Sequence, residues 1–487
     1  MRESKTNSLI IKLILIILLI VGFFYRIYGL NYNHSFWTDE NHVAIFVRAI
    51  LERGKPVLTN GYSTGIYQWL LYWMGAISAK IFGLNEFAVR FPSVIFGVLT
   101  IWAIYLVGKE LFNRNVGLVA ATLITFLKIE ILWSRQARPY QALQFFYLLS
   151  AYCLYRLFKF EKFNLKYFLG FLTCVILASL MHGLGMLIFV VGFIYFLFNR
   201  PSFFKNKWVF FLSFISLLFL IVPFREIIYA TLLKLGKTNN LTYYRVFLWH
   251  NYSLLTFLAF AGFLFLILTR KDNWGLPFLF LFVQTLVVSF FLTNYTRYFY
   301  IVFPFLVLTA SFTLHEISRV VGKKHSLVTL ILVVFIIIMG YQSVFLPKKI
   351  YSLNDDMQET PEVDWKKIYG FVGEKISENN DLILIANWND LSVWYLGEGK
   401  LNYLLTESSS QKKDGLSGAL IINGTNDLKN VIKEKKKGLI IIDSWDKYLS
   451  NETRLYCRNN LKKELEVDRL YPIQPRYWPV EVYSWGI

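Results

Sequence analysis

Two adjacent carboxylates and three arginines are the residues of this chain whose types and spacing suit chemistry. Asp39 and Glu40 stand in the run Phe36-Trp-Thr-Asp-Glu-Asn-His42. A carboxylate so placed can take a proton from a hydroxyl or an amine as a general base. An acidic pair at a helix start also caps it and complements the positive end of its dipole. The stretch Trp133-Ser-Arg-Gln-Ala-Arg-Pro-Tyr140 supplies Arg135 and Arg138, and Asn294-Tyr-Thr-Arg-Tyr-Phe-Tyr300 supplies Arg297. A guanidinium presents a planar fork that matches phosphate oxygens. The plainer roles are snorkelling to lipid headgroups, or a structural ion pair with Asp39 or Glu40. Arginines that grip a phosphate stabilise its charge as a new bond forms elsewhere. Such a phosphate leaves as a stable anion, so no acid is needed to protonate it. A base on one side and cations on the other suit transfer of a group from a lipid-phosphate donor.

These residues are held by a chain built for a membrane. Of its 487 residues, 55% are apolar or aromatic and only 17% are charged, against about 25% charged in a soluble domain. Apolar runs near the ~20 residues of a membrane-spanning helix recur at 9–27, 92–108, 116–133, 140–158, 167–181, 184–198, 207–224, 251–269, 275–293, 298–315 and 326–346. That is about eleven spans, which excludes a soluble enzyme and a disordered chain. The net charge of +19 then reflects basic inner loops rather than nucleic-acid binding. With that count, Arg2/Lys5, Lys109/Arg114, Lys159/Lys162/Lys166, Arg200/Lys205/Lys207, Arg270/Lys271 and Arg319/Lys323/Lys324 all fall on one side, the cytoplasmic one. Counting Tyr67–Phe82 as a further span would reverse most of them, so that segment is read as membrane-adjacent.

The opposite, extracytoplasmic face then carries loops 31–91, 133–139 and 225–250, the turn at His182 and the turn at Arg297. An odd number of spans puts 347–487 there as well. In this tail, Asp381-Leu-Ile-Leu-Ile-Ala, Ala419-Leu-Ile-Ile-Asn-Gly and Gly438-Leu-Ile-Ile-Ile-Asp are short apolar runs rich in isoleucine. Helix-like stretches such as Asn426–Lys437 separate them, which predicts a small α/β domain with a partly parallel sheet. The expected fold is thus a polytopic α-helical membrane domain over 1–346, followed by an extracytoplasmic α/β domain over 347–487. The carboxylates and arginines are expected to meet in one pocket on the outer face.

Phe36-Trp-Thr-Asp-Glu, Leu84-Asn-Glu-Phe-Ala-Val-Arg-Phe-Pro-Ser93, Trp133-Ser-Arg-Gln-Ala-Arg-Pro-Tyr140 and Arg297-Tyr298 with Pro304 together resemble the membrane glycosyltransferases of the C superfold (GT-C). Within these the chain most resembles prokaryotic relatives of the protein O-mannosyltransferases and of the lipid A aminoarabinose transferases, a family 39-like type. The resemblance runs over about 1–345. It implies a polyprenyl-phosphate sugar donor, transfer on the extracytoplasmic face of the cell membrane, and inversion at the anomeric carbon. Carried over by motif, Asp39 is the catalytic base and Glu40 its neighbour, Arg138 and Tyr140 belong to the second-loop motif, and Arg297 meets the donor phosphate. Arg135 and Tyr62 join the expected substrate-binding set. Tyr62-Ser-Thr-Gly-Ile-Tyr67 occupies the place where aminoarabinose transferases carry Glu-Lys-Pro. His182, in Ser179-Leu-Met-His-Gly183, matches a histidine often found in the family, although a lone interfacial histidine is more often a packing or hydrogen-bonding residue. More distant oligosaccharyltransferases hold a divalent metal on second-loop acids. This chain has no Asp or Glu in 134–149, so a divalent metal, open by resemblance, has no support from these residues, and no other cofactor is expected.

The expected partners are the lipid-linked sugar, a protein, lipid or glycan acceptor, and membrane lipid. A ligase or polymerase using a diphosphate-linked donor shares the cationic outer face. A transporter or flippase is the third reading, although such folds carry inverted repeats and midplane polar groups, and no repeat is visible here. The tail is a candidate acceptor-recognition module.

Overall fold

A backbone in lipid must satisfy its own hydrogen bonds, and the apolar runs accordingly fold as helices. The structure, a computed structural model, describes residues 5–32, 35–66, 68–159, 163–199, 229, 238–269, 275–320, 325–339, 346–349, 363–446, 449–469 and 478–487. The run 207–224, the Arg200–Lys207 connection, Arg270, Lys271 and His34 lie outside these residues. The chain folds as two units that alternate along the sequence. One comprises Met1–Tyr28, Ile66–Leu71 and Arg90–Lys348, and the other Gly29–Gly65, Tyr72–Val89 and Lys349–Ile487.

In chain order the first helices are α1 (Lys5–Ile27), α2 (Thr38–Arg53), α3 (Trp69–Phe82), α4 (Glu86–Leu111), α5 (Arg114–Phe126), α6 (Lys128–Trp133) and α7 (Tyr140–Lys159). Next come α8 (Leu165–Met181), α9 (Leu187–Asn199), α10 (Leu241–Leu268), α11 (Gly275–Phe290), α12 (Thr296–Tyr300), α13 (Phe303–Val320) and α14 (His325–Met339). By length and composition, Leu9–Tyr32, α4 and α10 are long and apolar enough to cross a membrane, and several apolar helices are shorter. At 14 residues, α3 falls short of the ~20 a span needs.

Two interruptions in the first unit set the loops that bear the arginines. The run read as one span over 116–133 breaks at Leu127, whose φ of −64° and ψ of 128° are extended, so α5 ends and α6 starts on a new axis. Likewise 298–315 is divided into the short α12 and the long α13. A third difference concerns 225–250. Residues 241–250, expected in a loop, are the first turns of α10, which bends at Tyr252 (φ −135°, ψ 34°). Tyr244 and Phe247 bury one face of this stretch, an i, i+3 pattern that the intervening Arg245 obscures.

The second unit contains the sheet. Its remaining elements are α15 (Trp365–Glu378), β1 (Ile383–Ala386), α16 (Asp390–Tyr395), β2 (Tyr403–Thr406), β3 (Leu420–Asn423), α17 (Gly424–Glu434), β4 (Gly438–Asp443), α18 (Asn451–Asn460), β5 (Lys462–Val467) and β6 (Val480–Trp485). The strand order is β3-β2-β1-β4-β6-β5. β1 to β4 are mutually parallel, while β6 runs antiparallel to β4 and to β5. The three runs read as strands are β1, β3 and β4.

β4 and β6 are buried along their whole length, as expected for strands covered on both faces. On one face Trp365, Ile368 and Val372 of α15 pack with Leu384, Leu439 and Val482. On the other, Leu428 and Val431 of α17 and Cys457 of α18 pack with Ile385, Ile440 and Tyr483. The edge strand β5 is more exposed, and its register shifts between Lys463 and Leu465. A bulge of this kind blunts an open edge.

Candidate functional site

In the first unit the site grows from the loop between α6 and α7. Its placement begins with glycine: a Cβ at Gly97 of α4 would lie 2.5 Å from Ser134 Cβ and 2.7 Å from Arg26 Nε. Only a bare backbone lets α4 pass this close to the loop and to α1. Arg135 is buried, and its guanidinium donates to the carbonyls of Arg26 at 3.1 Å and Tyr28 at 2.7 Å. These acceptors belong to the C-terminal end of α1, where orphan carbonyls and the dipole both attract a cation. Arg135, expected among the substrate-binding residues, is thus engaged with backbone, and this fixes the start of the loop to α1.

Three residues along, Arg138 faces a different set of groups. It donates to Tyr140 Oη at 3.3 Å, and its guanidinium carbon lies 5.4 Å from the centre of the Tyr140 ring. Arg297, on α12, sits over the Tyr295 ring at 4.0 Å and 5.9 Å from the Tyr140 ring centre. His182 lies against the same tyrosine, with ring centres 5.6 Å apart. Arg138, Tyr140, His182 and Arg297, singled out from three separate stretches of sequence, are therefore brought together around one phenol ring.

The charge state of the cluster follows from its composition. Burial, together with the guanidiniums of Arg138 and Arg297, holds the His182 imidazole down to a pKa of about 3, so the ring is neutral near pH 7. Its Nδ1 accepts the Leu184 N–H at 3.1 Å, which leaves the proton on Nε2 as a donor. The segments carrying His182 and Arg297 are tied by interhelical bonds. Tyr147 Oη donates to the Leu184 carbonyl at 2.6 Å, and the Gln284 amide to the Tyr298 carbonyl at 2.7 Å. Gln284, a polar group inside an apolar helix, serves here as a structural tie.

Sequence reasoning missed the polar network beneath this cluster. Glu130 is fully buried, accepting from Tyr300 Oη at 2.9 Å and from the Gln144 amide at 3.1 Å. Gln144 also donates to the Tyr300 carbonyl at 3.0 Å, and Gln141 donates to Thr100 Oγ1 at 3.0 Å. Arg26, also buried, donates to the carbonyls of Gly22 and Ile124, each at 3.1 Å. This network binds α4, α6, α7 and α12 to one another directly below the Trp133–Tyr140 loop. A glutamate within an apolar run was the available signal.

In the second unit, α2 starts differently from the capping expected at Thr38 or Asp39. Trp37 takes the cap position with extended backbone and no side-chain cap bond, so Asp39 and Glu40 lie in the first helical turn. Their charges face the positive end of the dipole. Glu40 is buried and Asp39 half-buried. The helix closes at Gly54, with φ of 72°, a left-handed conformation suited to glycine. α2 packs on α16, with Arg48 donating to the Val393 carbonyl at 3.1 Å and lying 4.8 Å from the Trp394 ring centre. Asp390, first residue of α16, is buried, and burial pushes its carboxyl up to about 7, with Asp39 and Asp414 adding to the rise. Tyr62 is exposed and lies near Phe46 of α2, with ring centres 6.2 Å apart. Among the described residues no three His, Cys, Asp or Glu side chains group to hold a metal ion.

Residues 69–225 match the sequence model of the dolichyl-phosphate-mannose-protein mannosyltransferase family. Over 134 residues the chain is 25% identical to an undecaprenyl phosphate-alpha-4-amino-4-deoxy-L-arabinose arabinosyl transferase of Wigglesworthia glossinidia brevipalpis, covering 27% of this chain and 23% of that protein. Two proteins of Aquifex aeolicus (strain VF5) are aligned over 30% of their lengths. The chain thus spans less than a third of the length of these relatives. The structure is similar to ArnT from Cupriavidus metallidurans, with a TM-score of 0.64 and 12% identity over 99% of this chain and 98% of that one. ArnT has also been solved bound to undecaprenyl phosphate. The Archaeoglobus fulgidus oligosaccharyltransferase matches with a TM-score of 0.58 and 13% identity, covering 91% of this chain and 70% of that one.

Proposed function

We propose that this chain, a membrane protein with the GT-C fold of ArnT and the archaeal oligosaccharyltransferase, is an inverting glycosyltransferase that moves a sugar from a polyprenyl-phosphate donor to a protein, lipid or glycan acceptor. The observation that carries the reading is the convergence of Arg138 and Arg297 on Tyr140 beside a neutral His182. A phosphate lying between two guanidiniums is attracted by both charges. Arginine forks on aromatic faces match the phosphate of a lipid-linked sugar.

In this reading Asp39 takes the proton from the acceptor hydroxyl or amine. The acceptor heteroatom attacks the anomeric carbon, and the bond from that carbon to the phosphate oxygen breaks on the opposite face. The electron pair leaves with the phosphate, whose charge Arg138 and Arg297 hold while the Nε2–H of His182 donates to it. One displacement inverts the anomeric centre. The basic connections assigned to the cytoplasm support an extracytoplasmic reaction and an extracytoplasmic tail, in the plasma or inner membrane of the cell.

The test is to incubate the purified protein with labelled monosaccharide-phosphate and monosaccharide-diphosphate polyprenols. Loss of sugar from the monophosphate with an inverted product supports the proposal. Consumption of the diphosphate alone replaces it with the ligase or polymerase reading. Translocation of either lipid across a vesicle without cleavage replaces it with a transporter.

A further inference from the structure

The tail carries a second place built for a ligand. In an open parallel sheet, ligands bind outside the carboxyl ends of the strands, where the chain's direction of winding reverses. Here β2 and β3 extend the sheet on one side of β1, and β4 returns to its other side. The reversal therefore lies between β1 and β4. Past β1 comes Asn387-Trp388-Asn389-Asp390, and past β4 comes Asp443-Ser444-Trp445-Asp446.

These two segments interlock. Asn387 donates to the Asp443 carbonyl and to Asp446 Oδ2, each at 3.1 Å, and accepts from the Asp443 N–H at 2.9 Å. Trp388 Nε1 donates to Asp443 Oδ2 at 3.1 Å, which fixes its indole, and Arg469 pairs with the same carboxylate. The half-buried rings of Trp388 and Trp445 lie nearly parallel, at 15°, with centres 6.3 Å apart. Ser444 Oγ is buried and has no hydrogen-bond partner.

We infer that this β1/β4 switch point binds a neutral saccharide, the glycan portion of the acceptor. The inference rests on the glycosyltransferase reading for its biological role. A sugar ring has an apolar C–H face, which stacks on indole, and a rim of hydroxyls, which Asp, Asn and Ser bind as donors and acceptors together. Among the described residues, Asp390, Asp414, Asp443 and Asp446 outnumber Arg469 and Arg454, whose guanidinium donates to the Asp446 carbonyl, around the strand ends. That balance selects against phosphorylated or uronic-acid ligands.

The experiment applies the purified full-length chain to an array of neutral and acidic oligosaccharides, beside the donor-cleavage assay. The expected result is binding of neutral glycans, weakened about tenfold by Trp445→Ala, less by Trp445→Phe and Ser444→Ala, and unchanged in Asp39→Asn. If Trp445→Ala fails to fold, Trp445→Phe and Ser444→Ala decide the matter on the same array. Donor cleavage by a wild-type protein that binds no neutral glycan, or that loses nothing in these variants, overturns the subsite and leaves the reaction standing. Glycan binding that these variants weaken, in a protein that cleaves no lipid donor, supports the subsite and overturns the reaction.

Discussion

The two units treat charge in opposite ways. In the first, three arginines lie against backbone carbonyls and aromatic faces. Arg135 has the carbonyls that end α1, while Arg138 and Arg297 have the faces of Tyr140 and Tyr295. In the second, carboxylates crowd one another. Asp39 and Glu40 open α2, and burial, with the charges of Asp39 and Asp414 adding to it, makes Asp390 hold its proton more tightly. Guanidiniums braced by aromatic faces suit the proposed phosphate of the donor, and a carboxylate in the first turn of α2 suits the proposed base.

The sharpest way to break this contrast is Asp39→Asn. Transfer should fall roughly a hundred- to ten-thousand-fold, while the protein inserts and binds labelled donor as before. Full activity would remove the base. Next in size, Arg138→Ala and Arg297→Ala should each lower kcat by about a hundred- to a thousand-fold. The lysine variants should recover only part of this, because an ammonium lacks the planar fork. Arg135→Ala is expected to act on stability rather than on donor affinity, so equal donor-binding losses at positions 135 and 138 would blur the distinction drawn between them.

Smaller is Tyr300→Phe, which takes a hydrogen bond from buried Glu130 and should cost about 1–3 kcal/mol, measured by thermal unfolding in detergent. The remaining effects are in pH. Folded His182 holds its proton only below about 3, and an unfolded histidine below about 6.5. The unfolded chain therefore binds the extra proton between these values, and stability falls as pH drops through that window. Asp390 has the opposite sign: folded, it keeps a proton up to about 7, and unfolded only to about 3.9. Its contribution is present at low pH and is lost as pH rises between those values. His182→Gln should flatten the acid arm of a melting-temperature profile, and Asp390→Asn the alkaline one.

Much of the candidate site was legible because arginine between apolar runs is rare and polar loops there are short. Arg138 and Arg297 stood out on those grounds, Tyr140 and His182 through the family resemblance, and the structure brings all four to one spot. Arg135 shows the limit of such reasoning. Its type and loop match those of Arg138, and only the position of α1's last carbonyls separates their roles. Glu130 was hidden inside a run long enough to be one span, because the break at Leu127 has no proline or glycine to mark it. In the tail, β1, β3 and β4 were visible as apolar runs. β2 is four residues long and β5 alternates lysine with glutamate, a pattern shared with any solvated segment. The assignment of 29–65 to the tail's unit had no local signal, since it depends on packing between residues more than 300 apart.

That packing has a consequence for biogenesis. α2 is made well before α16, the surface that secures it through Arg48 and Trp394. During synthesis the segment bearing Asp39 stands without that support until α16 has been made. Deleting the tail should therefore do more than remove the proposed glycan subsite, because it would also strip Asp39's helix of its support. A premature stop late in the gene should leave a protein that is inserted yet catalytically silent.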